Sequence, residues 1–256
     1  MKAVILAAGR GTRMRDLTRS LPKPMLRVQG RPILEHIVEG LVRAGVRDLF
    51  IVTGFRAEVI ESYFGDGSRW GAQIVFGRQT VQNGTGKAAE PARSFIGASS
   101  FLLTYGDILV HPGTYDAVLA RFQGDPCDGV VTVTPGQDVR QGGLALLDRA
   151  FFLHRIVEKP SPGELEMLGR EGWLQAGQPV WYNAGIYVFR PVVFEFMAQL
   201  QLSPRGEYEL TDAINAMARA GHKLLGLPIQ GRWVDVRDPE VLARLEAEST
   251  AEPSPG

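Results

Sequence analysis

Short apolar runs separated by amphipathic stretches fill the first half of the chain. Five runs have the length of strands, at Ala3–Ala8, Asp48–Thr53, Gln73–Phe76, Phe101–Tyr105 and Gly129–Thr134. Most of them are apolar at consecutive positions, which is typical of parallel strands covered by helices on both faces. The pattern predicts an α/β fold with a doubly wound, mostly parallel mixed sheet that binds ligands at the carboxyl ends of its strands.

Helical patterns occupy the gaps between these strands. The stretch Pro32–Ala44 starts with a proline, carries an apolar stripe and stops before Gly45, so it is predicted to be a helix. Shorter helices are predicted at Ala57–Phe64 and Gly86–Phe95.

After about residue 140 the alternation is less regular. Strands are predicted at Leu144–Leu147, Leu153–Val157, Val180–Phe189 and Lys223–Pro228, and helices at Glu209–Ala220 and Pro239–Ala247. The polar stretch Ser161–Gln178 is predicted to form a helix or a lid. We therefore predict one domain over residues 1–248, in which the second half elaborates the same sheet. The remaining residues, Ser249–Gly256, are small, polar and rich in proline, so this tail is predicted to be disordered.

Composition narrows the class of protein. The 256-residue chain has 28 basic and 28 acidic residues, so no basic surplus indicates a nucleic-acid partner. No apolar stretch approaches the roughly 20 residues that a membrane helix needs, and no signal peptide follows Lys2. Cys127 is the only cysteine, which fits a reducing compartment. We therefore expect a cytoplasmic protein without nucleic-acid or membrane partners.

A glycine-rich loop follows the first strand, as in several kinds of phosphate-binding site. The dinucleotide fingerprint G-x-G-x-x-G needs a third glycine where this chain has Met14, and the expected acidic residue is missing from Gly30-Arg31-Pro32. The nearest match to a P-loop ends at Lys87, but Val81 replaces its first glycine and Ala88 its hydroxyl. Both kinds of site are excluded.

The loop nevertheless has two glycines and two arginines, and Pro22-Lys23-Pro24 follows it. Glycines let backbone N–H groups approach an anion, and Arg13 offers a fork of donors that suits phosphate oxygens. The flanking prolines restrict the chain around Lys23, so this ammonium is held in place at little entropic cost. The combination predicts a polyphosphate site.

Three stretches of the first half read LAAGRGTRM, LPKPML and GRPILEHIVEGLVRAG, in this order. They resemble motifs of the sugar-1-phosphate nucleotidylyltransferases, also called sugar nucleotide pyrophosphorylases, and the resemblance extends through about residue 245. It implies a Rossmann-like nucleotidyltransferase fold, with a nucleotide-binding half at about 1–140 and a sugar-binding half at about 141–248. It also implies that the sugar phosphate attacks the α-phosphorus of a nucleoside triphosphate in line with the leaving pyrophosphate, without a protein nucleophile.

Such a reaction needs cations and metal-binding carboxylates. Asp107 directly follows an apolar strand, where a carboxylate can hold Mg²⁺, and Asp235 matches the second carboxylate of the family. The resemblance therefore implies Mg²⁺ as the cofactor, held by Asp107 and Asp235. The catalytic residues that it implies are Arg13, Lys23, Asp107 and Lys159.

The segment Gln79–Gly86 resembles the base-recognition segment of the family. Gln79 is the expected base contact, because an amide pairs with both the carbonyl and the N3–H of uracil or thymine, and Gln82 supports it. Gly84 is expected to let backbone groups reach the base, and Thr85 to start a helix. The implied nucleotide-binding residues are Leu6, Ala8, Gly9, Gly11, Thr12, Arg13, Gln79, Gln82, Gly84 and Thr85.

The later motifs supply the sugar side of the predicted site. By resemblance, Glu158 accepts hydrogen bonds from sugar hydroxyls, Lys159 meets the sugar phosphate and Asn183 contacts the sugar. One of two neighbouring glycines supplies a backbone contact, and Gly143 is the predicted one. The segment Gly206–Asp212 also recurs in the family, and we interpret it as the start of a helix more than as chemistry.

The substrates are less narrowly defined. The first loop reads Ala7-Ala8-Gly9, a form commoner among uridylyltransferases for N-acetylated sugars than among thymidylyltransferases for glucose 1-phosphate. UTP or dTTP is favoured as the nucleotide, with CTP and GTP as alternatives, and the sugar is left open. Two further alternatives are a non-sugar phosphate acceptor and a catalytically silent regulator that binds nucleotide sugars. A homo-oligomer is compatible with the resemblance.

Overall fold

Strands form the framework of the protein, which we describe from a computed structural model that covers the backbone of residues 1–251 and the side chains of residues 1–248. The strands are β1 (Lys2–Leu6), β2 (Arg27–Val28), β3 (Arg31–Pro32), β4 (Asp48–Thr53), β5 (Gln73–Arg78), β6 (Phe101–Tyr105), β7 (Ile108–Val110), β8 (Gly129–Thr134), β9 (Gly143–Leu147), β10 (Leu153–Glu158), β11 (Trp181–Phe189), β12 (Leu224–Pro228) and β13 (Trp233–Asp235).

Helices connect most of these strands. The α-helices are α1 (Ile33–Arg43), α2 (Ala57–Phe64), α3 (Thr85–Ala88), α4 (Arg93–Ile96), α5 (Gly113–Gly124), α6 (Pro162–Arg170), α7 (Val193–Ala198), α8 (Leu210–Arg219) and α9 (Pro239–Ala251). Short 3₁₀ helices lie at Thr12–Thr18, Lys23–Met25, Ser68–Trp70, Glu90–Ala92 and Val139–Gln141.

One nine-stranded sheet dominates the fold, and its first half is parallel. The strands run in the order β5, β4, β1, β6, so the chain moves outward on one side of β1 and then returns to its other side. At the carboxyl end of β1, Leu6 pairs with Val52 of β4 and with Tyr105 of β6, both in parallel register. Such a switch point leaves a crevice at the carboxyl ends of the strands, where open α/β sheets bind ligands.

The second half of the chain extends this sheet. β11 runs antiparallel to β6, β8 and β9. β10 also runs antiparallel to its neighbour β9, whereas β12 pairs with β8 in parallel. The sheet is therefore mixed, with helices on both faces. The prediction of a doubly wound α/β fold is confirmed, and the second half does elaborate the sheet of the first.

Apolar side chains on both faces of the sheet explain why its strands are continuously apolar. Along β1, Ala3 and Ile5 belong to one buried cluster, while Val4 and Leu6 belong to another on the opposite face. Successive side chains of a strand point to opposite faces, so a strand covered on both sides is apolar at every position. Helices α1 and α5 contribute to the first cluster, and α7 and α8 to the second.

Some predicted elements differ from the observed ones. The single helix predicted at Gly86–Phe95 is wrong, because Pro91 interrupts it and three short helical turns replace it. The stretch Ser161–Gln178 contains a helix, α6, whose Ser161 caps the amino terminus with Glu164 in a capping box. Helix α9 continues to Ala251 and thus includes the start of the tail predicted to be disordered; residues 252–256 lie outside the described part of the chain.

Within residues 1–251, no helix has the length and apolar character needed to cross a membrane.

Candidate active site

The loop after β1 is shaped by contact with Lys23. Gly11 has φ +66°, and a Cβ at this position would lie 2.7 Å from the Cβ of Lys23. Glycine is therefore required at position 11 both by the backbone conformation and by the close approach of the lysine. Gly9 differs, because a Cβ there would meet no atom within 4 Å. Its missing side chain leaves the backbone of the loop open to the cleft that it lines.

Lys23 lies among opposite charges, with its side chain only 12% exposed. Its Nζ donates to Oδ2 of Asp107 at 2.5 Å and lies 3.7 Å from Oδ1 of Asp235. Burial alone would lower the pKa of Lys23, but the two carboxylates outweigh it and raise this pKa. Pro22 and Pro24 flank the residue, and the short 3₁₀ helix Lys23–Met25 fixes its backbone. The ammonium is thus held in its charged form at one place.

Asp107 and Asp235 come together because two short strands pair. Strand β13 runs antiparallel to β7 with Asp235 opposite Ile108, and the N–H of Val236 donates to the carbonyl oxygen of Asp107 at 3.0 Å. Burial and the neighbouring Asp107 raise the pKa of Asp235 to about 6, against the opposing effect of Lys23. Arg13 and Arg237, which line the same cleft, oppose this rise together with Lys23. Among the described residues, no group of three or more His, Cys, Asp or Glu side chains could hold a metal ion.

Two adjoining clefts open on either side of these charges. The larger cleft has a volume of about 390 Å³ and the smaller cleft about 260 Å³. Both are lined by Arg13, Thr85, Tyr105, Asp107, Glu207 and Asp235. Lys23 lines the larger cleft. The clefts therefore meet where the charged side chains converge.

The residues predicted from the sequence divide between the two clefts. All ten predicted nucleotide-binding residues line the larger cleft, namely Leu6, Ala8, Gly9, Gly11, Thr12, Arg13, Gln79, Gln82, Gly84 and Thr85. All four predicted sugar-binding residues line the smaller cleft, namely Gly143, Glu158, Lys159 and Asn183. Their roles toward a ligand remain predictions.

The loop after β5 forms one wall of the larger cleft. The side-chain amide of Gln79 donates to the carbonyl oxygen of Gly84 at 3.2 Å, and that of Gln82 donates to the carbonyl oxygen of Ala8 at 3.0 Å. Gly84 has φ +116°, and a Cβ there would clash with the backbone of Tyr208. The structure thus gives Gly84 a packing reason for lacking a side chain, besides the predicted approach to a base.

Thr85 begins α3, as the sequence predicts, and its hydroxyl also reaches α8. Thr85 Oγ1 accepts a hydrogen bond from the N–H of Leu210 at 3.2 Å. The N–H of Gly86 donates to the carbonyl oxygen of Tyr208 at 2.7 Å, so the two segments are joined at two points. These two hydrogen bonds therefore join the segment Gln79–Gly86 to the segment Gly206–Asp212.

Glu158 and Lys159 project from the end of β10 into the smaller cleft. Burial raises the pKa of Glu158, and Oε1 of this residue lies 3.7 Å from the guanidinium of Arg205. Lys159 has φ +47°, a strained conformation for a residue with a side chain, and its N–H donates to the carbonyl oxygen of Gly142 at 2.7 Å. Its ammonium is exposed and forms no ion pair with any described residue.

Asn183 and Gly143 line the smaller cleft from β11 and β9. The side chain of Asn183 is hydrogen-bonded to the hydroxyl of Tyr187 at 2.7 Å, so its amide is held by the protein. A Cβ on Gly143 would lie 2.8 Å from Ile156, and a Cβ on Gly142 would clash with the hydroxyl of Tyr182. Both glycines are therefore required by packing.

Several residues of the clefts were not predicted from the sequence. The segment Gly206–Asp212 was interpreted mainly as architecture, yet its Glu207, Glu209 and Thr211 line the smaller cleft together with Arg205. Charged and hydroxyl residues crowded at the start of a predicted helix were a usable signal. No sequence pattern singles out Tyr105, the last residue of β6, whose partly buried ring packs edge-on against Tyr187.

The chain is similar in sequence to known nucleotidyltransferases. The model of the nucleotidyl transferase family matches residues 2–252. Over 94% of this chain, the sequence is 32% identical to the low-salt glycan biosynthesis nucleotidyltransferase Agl11 of Haloferax volcanii, and the match spans 63% of that protein. It is 31% identical to the UTP–glucose-1-phosphate uridylyltransferase AglF of the same organism over 98% of both chains.

A solved structure shares the fold. The crystal structure of a UDP-glucose pyrophosphorylase complexed with UDP-glucose superposes with a TM-score of 0.83 at 22% identity, covering 97% of this chain and 98% of that one. The fold, the two clefts and the family match together place the chain in the nucleotidyl transferase family, among the sugar-1-phosphate nucleotidylyltransferases.

Proposed function

We propose that the protein transfers a nucleotidyl group from a nucleoside triphosphate to a sugar 1-phosphate and releases pyrophosphate. The observation that carries the proposal is the position of Lys23, whose ammonium lies 2.5 Å from Asp107 in a site shared by two clefts. The larger cleft suits a base and a triphosphate, and the smaller cleft suits a sugar phosphate. Their reactive phosphates would meet beside the converging charges.

In this proposal the protein positions the two substrates and neutralises the charge of their phosphates, and the sugar phosphate supplies the nucleophile. An oxygen of the sugar phosphate forms a bond to the α-phosphorus while the bond to the leaving pyrophosphate breaks. Arg13 and Lys23 stabilise the negative charge that develops on the phosphates, and the unpaired ammonium of Lys159 orients the acceptor phosphate.

The carboxylates of the site fit a divalent cation, and we propose Mg²⁺. Asp107 and Asp235 share a single lysine, whose Nζ lies 2.5 Å from Oδ2 of Asp107 and 3.7 Å from Oδ1 of Asp235. Mg²⁺ bound there would neutralise phosphate charge during the transfer. Two protein carboxylates suit this ion, because it keeps several waters and takes phosphate oxygens as its other ligands.

For the nucleotide we propose UTP or dTTP, with Gln79 as the residue that reads the base. The hydrogen bond to Gly84 uses one hydrogen of the Gln79 amide and leaves its other hydrogen and its carbonyl oxygen for a base edge. AglF, which matches this chain over nearly its whole length, is named as an enzyme of UTP and glucose 1-phosphate.

A pyrophosphate-release screen tests the proposal. Each of UTP, dTTP, CTP, GTP and ATP is combined with glucose 1-phosphate, N-acetylglucosamine 1-phosphate and mannose 1-phosphate, with and without Mg²⁺. We expect release with UTP or dTTP and at least one sugar phosphate, and none without the metal. Silence over the whole panel would contradict the proposed activity and favour a regulator or a non-sugar acceptor.

A further inference from the structure

Arg237 places a positive charge on the wall of the larger cleft. Its side chain is 26% exposed, and it lines this cleft but not the smaller one. Toward the described residues, its guanidinium forms an ion pair between Nε and Oδ2 of Asp238 at 3.6 Å and no hydrogen bond. The two terminal nitrogens of Arg237 are therefore available to a ligand.

The backbone that carries Arg237 is anchored on both sides. The preceding residue, Val236, is fully buried, and the N–H of Arg237 donates to the carbonyl oxygen of Asp235 at 2.9 Å. The following residue, Asp238, accepts a hydrogen bond on Oδ1 from the N–H of Val241 in α9, at 2.9 Å. Because this backbone is fixed before any ligand arrives, little entropy is lost when the guanidinium binds one.

The other basic side chains of the two clefts occupy different positions. Lys23 lines the larger cleft, but its ammonium is engaged by two carboxylates. Arg13 lines both clefts and so lies at their junction, whereas Lys159 lines only the smaller cleft. Arg237 therefore differs from all three, because it lines the larger cleft alone and keeps an open pair of donors.

In-line transfer defines which part of the nucleotide lies near Arg237. The attacking oxygen and the leaving pyrophosphate stand on opposite sides of the α-phosphorus. With the sugar phosphate in the smaller cleft and the α-phosphorus at the junction, the pyrophosphate extends into the larger cleft. The planar fork of an arginine matches the paired oxygens of a phosphate group, so a guanidinium on this wall suits the pyrophosphate better than it suits the base.

We infer that Arg237 binds the leaving pyrophosphate, by donating hydrogen bonds from its terminal nitrogens to oxygens of the β- and γ-phosphates of the nucleoside triphosphate. The inference rests on the proposed function and adds a residue to its machinery. When the bond between the α-phosphorus and the pyrophosphate breaks, Arg237 stabilises the negative charge that collects on the leaving group. In the reverse reaction it holds the attacking pyrophosphate.

The experiment compares the binding of a triphosphate with that of its monophosphate. Calorimetric titrations with UTP and UMP, and with dTTP and dTMP, are made at fixed Mg²⁺ on wild type, Arg237→Ala and Arg237→Lys. Arg244→Ala is the matched control, because Arg244 has a side chain that is 63% exposed and lines neither cleft. Forward and reverse kinetics with the best sugar of the screen follow, and thermal melting of every variant reports folding.

We expect Arg237→Ala to bind the triphosphate about 10- to 100-fold more weakly, because charge-assisted hydrogen bonds to phosphate are lost, and to bind the monophosphate within about twofold of wild type. KM for pyrophosphate in the reverse reaction should rise by a similar factor, while KM for the sugar 1-phosphate stays within about twofold. Arg237→Lys should lie between wild type and Arg237→Ala, because lysine keeps the charge and loses the fork. Arg244→Ala should behave as wild type in every assay.

Two outcomes overturn the inference. Unchanged triphosphate affinity in Arg237→Ala would mean that the guanidinium does not touch the pyrophosphate, and an equal loss for triphosphate and monophosphate would mean that it acts only through the neighbouring Asp235. If the alanine variant fails to fold, Arg237→Lys decides by the same comparison of triphosphate with monophosphate. A wild type that binds neither UTP nor dTTP contradicts the proposed function as well, whereas tight binding that the variants leave unchanged contradicts this inference alone.

Discussion

Gln82 donates its side-chain amide to the backbone carbonyl of Ala8, and so ties the loop after β5 to the loop after β1. Gln79, three residues earlier, bonds through its side chain within its own loop, to Gly84. The two glutamines predicted to act together on the base thus have different surroundings. One joins two walls of the larger cleft, and the other has a carbonyl oxygen free for a ligand.

This difference predicts different kinetics for the two alanine variants. Gln82→Ala should raise KM for every nucleotide by about fivefold, since a hydrogen bond of about 1 kcal/mol between the two walls is lost, while base preference stays as in wild type. Gln79→Ala should instead reduce the preference for UTP or dTTP over CTP. Kinetics with the full set of nucleotides distinguishes them; unaltered preference in Gln79→Ala would remove it as base reader.

Lys23 is expected to be indispensable for turnover. Lys23→Ala should lower kcat by about 10²- to 10³-fold, because a positioned positive charge is lost from the phosphates. It should also lower the free energy of unfolding, since Asp107 and Asp235 lose the cation that they share. Pyrophosphate release and thermal melting measure the two effects. Lys223→Ala, which removes an exposed lysine that lines neither cleft, is the control; near-normal turnover in Lys23→Ala would contradict the role.

Glu158 is expected to make stability depend on pH. Burial raises its pKa, so the folded protein holds the proton at pH values where the unfolded chain has lost it. The free energy of unfolding contributed by this group therefore falls as pH rises from the ordinary glutamate pKa through the raised one. Glu158→Gln, which cannot ionise, should melt above wild type at pH 8 and close to wild type at pH 4, while its KM for the sugar phosphate rises.

A matched variant isolates that effect. Glu166 on α6 has a side chain that is 72% exposed, so Glu166→Gln should change melting little at either pH. Equal shifts of the melting temperature in both variants, or a Glu158→Gln protein that melts at the wild-type temperature at pH 8, would show that the buried charge of Glu158 does not destabilise the fold.

Arg15 adopts a conformation that suits glycine. Its φ of +53° and ψ of −124° lie in a region that costs about 1–3 kcal/mol for other residues. Arg15→Gly should relieve this strain, although glycine costs more conformational entropy on folding. The net result should be a rise of about 1 kcal/mol in the free energy of unfolding, or about 2–4 °C in Tm. Arg19 has an ordinary helical φ of −64°, so Arg19→Gly should lower Tm; a lower Tm in both variants would contradict the strain.

Local pattern was enough to predict the elements that a covered sheet demands. Ala3–Leu6 and Leu49–Val52 are apolar at every position, and both are central strands. Helix α5 was missed because its apolar and polar positions are poorly segregated and Gly113 and Gly124 stand at its two ends. The prediction of a single helix at Gly86–Phe95 failed because it did not take Pro91 into account.

The candidate site shows more clearly that local sequence pattern does not reveal contacts between distant segments. Arg13 and Lys23 are close in sequence, so their motif is readable from the residues. The proximity of Asp107 and Asp235 depends on the pairing of β7 with β13, which no local pattern reveals, and it was inferred through the family resemblance. The buried hydroxyl of Thr211 has no hydrogen-bond partner among the described residues, and because this depends on every neighbour in space, it emerges only from the folded structure.

The two-stranded pair of β7 and β13 has only three residues in each strand. Side chains alternate along a strand, so a slip of a single residue would turn Asp235 away from Lys23 and abolish the charge cluster. Trp233 resists such a slip, because its indole N–H donates to the carbonyl oxygen of Ala184 at 2.9 Å. This tryptophan therefore fixes the register in which both carboxylates face Lys23.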